Sequence, residues 1–136
     1  MIRILLTAGL VILAAPCTAQ TTSSPTQSAE QATAAPAGDE AAGEEIYGTV
    51  CRTCHGGLIA PTLRGIAGRP IASTDFGHYS AGLRAKAGES WTDANLDAFL
   101  RAPAEFAPGT EMSASVPEAQ ARADVIAFLK TLPPPR

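Results

Sequence analysis

Residues 51–55 read Cys51-Arg52-Thr53-Cys54-His55, and these five positions hold three of the chain's five cysteines and histidines. A C-x-x-C-H run has the spacing of covalent haem attachment. Two thiols three residues apart can add to the two vinyl groups of one porphyrin, and the next residue brings an imidazole to the iron from the same side. Cys51 and Cys54 are therefore read as tethers and His55 as the proximal iron ligand, and the expected cofactor is one covalent haem c per chain.

Two blander readings compete. A Cys2His2 zinc site built from Cys51, Cys54, His55 and His78 would crowd adjacent Cys54 and His55 into one tetrahedron, whereas known spacings separate the cysteine pair from the histidine pair. A thioredoxin-like dithiol belongs in a βαβ setting, and no stretch of this sequence alternates apolar and polar residues as strands do. The fold is expected to be all-α.

Upstream of the motif, Asp39 is placed to cap a helix over residues 39–51. Glu40 lies in its first turn, and Ala42, Ile46 and Val50 fall at i, i+4 and i+8 on one apolar stripe beside Tyr47. Gly43, one turn before Tyr47, leaves a gap through which another backbone can approach. Residues 20–38 are mostly Thr, Ser, Gln, Ala and Pro, too poor in burial to offset the entropy of ordering, and read as a disordered linker.

Residues 1–19 carry one early charge, Arg3, then an apolar run over 4–15 and small residues after Pro16. This is the layout of a secretory signal peptide, with cleavage expected after Ala19. The run is shorter than the ~20 residues a membrane-spanning helix needs, so a retained anchor is the second reading. A lipidated Cys17 is the third, disfavoured by Pro16, where a small residue usually stands. The protein is thus expected in the periplasm or another extracytoplasmic compartment, meeting a membrane only if this segment is retained or lipidated.

Cleavage would remove Cys17 and leave the haem pair alone. It would also remove Arg3 from a chain whose formal net charge is already −3, so a nucleic-acid partner is not expected. The folded domain, residues 39–136, has a small core for independent stability, and a buried haem would supply much of the missing apolar mass.

Downstream, Gly56 and Gly57 stop the first helix, and residues 58–70 contain Pro61, Gly65, Gly68 and Pro70, which excludes a long regular element. A metal-bound histidine usually gives its other ring N–H to a carbonyl, and the rigid Pro61 segment can offer one; a plain surface loop is the alternative. Short helices are expected over residues 80–86, capped by Ser80, and over 91–100, capped by Thr92 with Leu96, Phe99 and Leu100 turned inward. A loop over 102–114 leads past Pro108 and Gly109 to Met112. The last helix should open with a capping box, Ser115 and Glu118, and carry Val125, Phe128, Leu129 and Leu132 until Pro133 ends it.

After cleavage two residues compete for the sixth iron position, Met112 and His78. Met112 is favoured because it follows a Pro-Gly loop long enough to wrap around a haem, and its thioether is a soft, neutral ligand that raises the potential relative to a second imidazole. The alternatives are Met112 as core filler and His78 as ligand.

The order C-x-x-C-H, Pro61-x-Leu63, Gly68-Arg69, Tyr79-Ser80, Trp91-Thr92, Pro108-Gly109-Thr110-x-Met112 and Arg122 through Lys130 resembles the class I c-type cytochromes, in their mitochondrial-like bacterial branch. The resemblance covers residues 43–132. It implies a helical haem envelope whose first and last helices cross, Gly43 and Tyr47 against Val125 and Phe128. It further implies that Pro61 supplies the carbonyl to His55, that Arg69, Tyr79 and Trp91 surround the propionates, and that Met112 is the distal ligand with Thr110 nearby. Two departures stand out: the loop from His55 to Pro61 is short, and Phe99 stands where the family often has a tyrosine bonded to the methionine sulfur. At the positions of the lysine ring that surrounds the haem edge in mitochondrial members, this chain has Val50, Ala104, Glu105 and Glu111.

With His55 and Met112 both bound, iron has no open position for a substrate, so the expected function is one-electron transfer between redox proteins by a monomeric, non-enzymatic carrier. The alternatives are a cytochrome subunit of a dehydrogenase complex and a haem sensor that binds a ligand when Met112 leaves.

Overall fold

The computed structural model describes residues 36–136. The expected signal peptide and nearly all of the expected linker lie outside these residues. The chain enters α1 (Glu40–Ile46) through Asp39, whose carboxylate accepts the backbone N–H groups of Ala41 and Ala42 at 2.8 and 3.0 Å. A π-helical turn, Tyr47–Cys51, continues it into α2 (Arg52–His55), so the motif lies inside one interrupted helix that ends at Gly56.

The π turn corrects the expected apolar stripe. Thr49 Oγ1 donates back to the carbonyls of Glu45 and Ile46, and the extra residue in that turn rotates everything after it. Cys51 is buried in consequence, while Val50, placed on the stripe by a 3.6-residue period, is 41% exposed.

Four further helices follow the long loop. Ser80 caps α3 (Ala81–Ala85) by accepting the Leu83 N–H, and Thr92 caps α4 (Asp93–Arg101) by accepting that of Asn95. A short α5 (Pro103–Phe106) interrupts the expected loop, with Pro103 in its first turn, where a missing N–H costs nothing. The last helix, α6 (Ala119–Thr131), starts later than the capping box implied: Glu118 is the cap residue and no side chain bonds the first turn. Pro117 explains this, because it drives Val116 into extended backbone, where the Val116 N–H reaches the Leu100 carbonyl at 2.8 Å.

Among the described residues there is no strand, only an isolated antiparallel bridge between Pro70 and Ser90. None of their helices is long and apolar enough to cross a membrane.

The crossing of α1 on α6 organises the core. Gly43 lies so close to the Asp124 carbonyl that no side chain fits there, and Tyr47 packs its ring 5.1 Å from that of Phe128. The buried Asp124 carboxylate accepts the Asp39 N–H at 2.8 Å, tying the start of α1 to α6. Residues 37 and 38, assigned to the linker, also meet α6: Gln120 Nε2 donates to the Ala37 carbonyl at 2.8 Å, and Gly38 abuts the Ala123 carbonyl. Fully buried Ile71 and Val125 belong to the apolar cluster on which Leu83, Trp91, Leu96 and Leu100 converge.

Candidate functional site

The motif presents two unequal thiols. Cys51 is buried, which pushes its thiol pKa up because the thiolate is poorly solvated there, whereas Cys54 is exposed; neither is in a disulfide. A pair of free thiols on one helical segment is the state that addition to a porphyrin requires.

His55 follows on the same helix and is half-buried, with its Nδ1 2.7 Å from the Pro61 carbonyl oxygen. A carbonyl can only accept, so Nδ1 carries the proton and the Nε2 lone pair is left for a metal. The loop that brings Pro61 there is anchored just beyond it and is no plain surface loop. Gly65, at φ +60°, donates its N–H to the Leu132 carbonyl at 3.1 Å and abuts Pro134, and Ile66 beside it is buried in the core.

Arg69 and Trp91 are brought together by backbone. The Gly68 N–H donates to the Trp91 carbonyl and the Trp91 N–H to the Arg69 carbonyl, each at 2.9 Å. Half-buried Arg69 lines a cavity of about 610 Å³ together with Pro61, Thr62, Thr74 and Phe76; Cys51, Cys54, His55 and Met112 are not among its walls. The Tyr79 hydroxyl is hydrogen-bonded to Thr74 Oγ1, a partner that the sequence did not signal. Trp91 is buried against Phe99 and Phe106, with ring centroids at 5.2 and 5.8 Å, so Phe99 fills an aromatic cluster.

Met112 is half-buried and packs on the core, and its N–H donates to Thr110 Oγ1 at 3.3 Å. The turn before it uses Gly109 at φ +79°, a conformation open to glycine at little cost. His78 is exposed, with its ring edge-on to Phe76 at 5.8 Å. The zinc reading fails on placement: among the described residues no three His, Cys, Asp or Glu side chains gather to hold a metal. Two free thiols, an imidazole with Nε2 available and a half-buried thioether are the residue types that a haem c takes as tethers and ligands, so the residues fit that group.

One feature of the surroundings escaped sequence reading. Buried Arg122 on α6 bonds Asp97 on α4 and the carbonyls of Val116 and Pro117, just beyond Met112. Its only sequence signal was an arginine on the inward side of a helix.

Comparisons with known proteins agree with this arrangement. No family model matches the chain. It is 41% identical over 101 residues to the cytochrome c-type cyt cy of Rhodobacter capsulatus, a match covering 71% of this chain and 50% of that protein. Cytochrome c of Tetrahymena pyriformis is 37% identical over 71% of this chain and 92% of its own length, and cytochrome c2 of Rhodopila globiformis 35% identical over 72% and 97%. The solved structure of cytochrome cH from Methylobacterium extorquens superposes with a TM-score of 0.61 at 34% identity, covering 69% of this chain and 99% of that one. At 35–37% identity to cytochromes c and c2 matched over nearly their whole length, and with a fold that superposes on cytochrome cH, the chain belongs to the class I c-type cytochromes.

Proposed function

We propose that the chain is a one-electron carrier, not an enzyme, that holds one haem c covalently through Cys51 and Cys54 and ligates its iron with His55 and Met112. The observation that carries this reading is the 2.7 Å contact between His55 Nδ1 and the Pro61 carbonyl, which leaves the other ring nitrogen free to accept a metal. The haem supplies reversible ferric–ferrous chemistry. Cys51 and Cys54 prevent its loss, and Pro61 fixes the imidazole tautomer and ring orientation. Met112 would be the second protein ligand, a neutral thioether that would keep substrates off the iron and favour the ferrous state. Arg69, which lines the 610 Å³ cavity, would pair with the propionates, with Tyr79 and Trp91 as its expected companions and Thr110 holding the Met112 turn.

The donor and acceptor are proposed to be extracytoplasmic redox proteins, consistent with the export signal expected in residues 1–19. Val50, Leu58 and Ile59, near the motif in sequence, are exposed apolar residues at 41, 97 and 72%, and Ala104, Glu105 and Glu111 are exposed as well. This composition supports a neutral to acidic docking face. Potentiometric titration with optical detection tests the reading: a single reversible one-electron wave is expected, with no carbon monoxide binding by the reduced protein at neutral pH. Carbon monoxide binding by the wild type would overturn it in favour of a ligand-binding haem, and co-purification in a fixed complex with a catalytic subunit would overturn the free carrier.

A further inference from the structure

We infer that Arg122 is a positioning residue for the Met112 ligand, acting by clamping the far end of the segment that carries it. The inference rests on the ligation proposed above. Between α5 and α6 the chain has no regular structure, and Ser113, Ala114 and Ser115 are exposed. Such a segment has little to hold it except its anchors. On the near side stand fully buried Ala107, whose carbonyl accepts the Thr110 N–H at 3.1 Å, and the Thr110 hydroxyl that takes the Met112 N–H. On the far side the anchor is Val116 and Pro117, and it is held from two helices at once.

Arg122 makes that anchor. Its Nη1 donates to the Val116 carbonyl at 3.1 Å and to the Pro117 carbonyl at 2.6 Å, and its Nε donates to Asp97 Oδ1 at 2.6 Å. The Val116 N–H adds the bond to the Leu100 carbonyl on α4, and the Val116 side chain is 8% exposed. Arg122 itself is 6% exposed, so its charge is satisfied by these three acceptors, and the planar guanidinium fixes all of them in one geometry. A lysine has no such fork, and a glutamine reaches neither carbonyl while keeping its Asp97 bond.

Loosening this anchor lets Met112 leave the iron more often, and an added ligand then binds in proportion to the open fraction. The experiment is imidazole titration of the oxidised, haem-loaded full chain. Arg122→Gln should bind imidazole about tenfold more tightly than wild type, and Arg122→Lys should fall between them. Ile126→Val, which trims the same helix but removes none of the anchor's hydrogen bonds, should leave imidazole affinity within about twofold of wild type. Should Arg122→Gln not fold, Asp97→Asn, which removes the charge of the half-buried partner, carries the same test with a smaller shift. Unchanged affinity in folded Arg122 and Asp97 variants, or an equal rise in Ile126→Val, overturns the inference. A wild type without the sulfur-to-iron charge-transfer band overturns instead the reading on which it rests.

Discussion

His55 Nδ1 and the Pro61 carbonyl oxygen lie 2.7 Å apart, across a loop pinned at Gly65 to the Leu132 carbonyl. The imidazole is thus oriented by backbone, which point substitution cannot delete. Pro61→Ala should keep the acceptor and free the loop, costing about 0.5–1 kcal/mol through the unfolded chain. The His55 Nδ1–H should then exchange with solvent several times faster in the reduced protein, as read by NMR. Unchanged exchange would mean that the proline has no part in holding the ring.

Glycines separate two forces with opposite signs. Alanine at Gly43 gains helix propensity of about 1 kcal/mol, yet its methyl would collide with the Asp124 carbonyl. Backbone cannot step aside cheaply, so Gly43→Ala should destabilise by about 1–3 kcal/mol in urea titration. Gly48→Ala, with open space around the added methyl, should be neutral or stabilising by up to about 1 kcal/mol. Equal effects at the two sites would contradict the crossing of α1 on α6.

The distal assignment has a spectral test. Met112→Ala should keep covalent haem, lose the sulfur-to-iron band, lower the potential and admit exogenous ligands. His78→Ala should leave the band in place, as expected for an exposed ring that lies edge-on to Phe76. If His78→Ala alone alters the spectrum, His78 is the ligand.

Charge at the docking face predicts partner choice. Glu111 and Glu105 are exposed near Met112 in sequence, so an oxidase that reads lysines should be served poorly. Glu111→Lys should speed electron transfer to an acidic-site oxidase severalfold at low salt, an advantage that fades as the Debye length falls. A wild type that already reacts fast at low salt and slows steeply as salt rises would contradict this face.

Side chains that act within a turn of themselves were legible in the sequence. Asp39, Ser80 and Thr92 each cap the helix they were read to cap. What escaped depends on partners far along the chain or on a small departure from periodicity. The π turn moves Val50 outward by one added residue that no 3.6-residue pattern can register. The last helix starts at Ala119 because Pro117 and the Val116 bond to Leu100 override a capping box whose residues are both present. A four-residue helix such as α5 has too few positions to show a stripe. Arg122 required the fold itself, since Asp97 lies 25 positions away.

The central claim, that Cys51 and Cys54 hold a haem, is met most directly by intact mass under denaturing conditions after expression with haem-attachment machinery. The chain should carry the added mass of one haem that denaturant does not remove, and the Cys51→Ala, Cys54→Ala double variant should lack it. A wild-type mass equal to the polypeptide alone, or a haem that leaves on denaturation, would contradict the account.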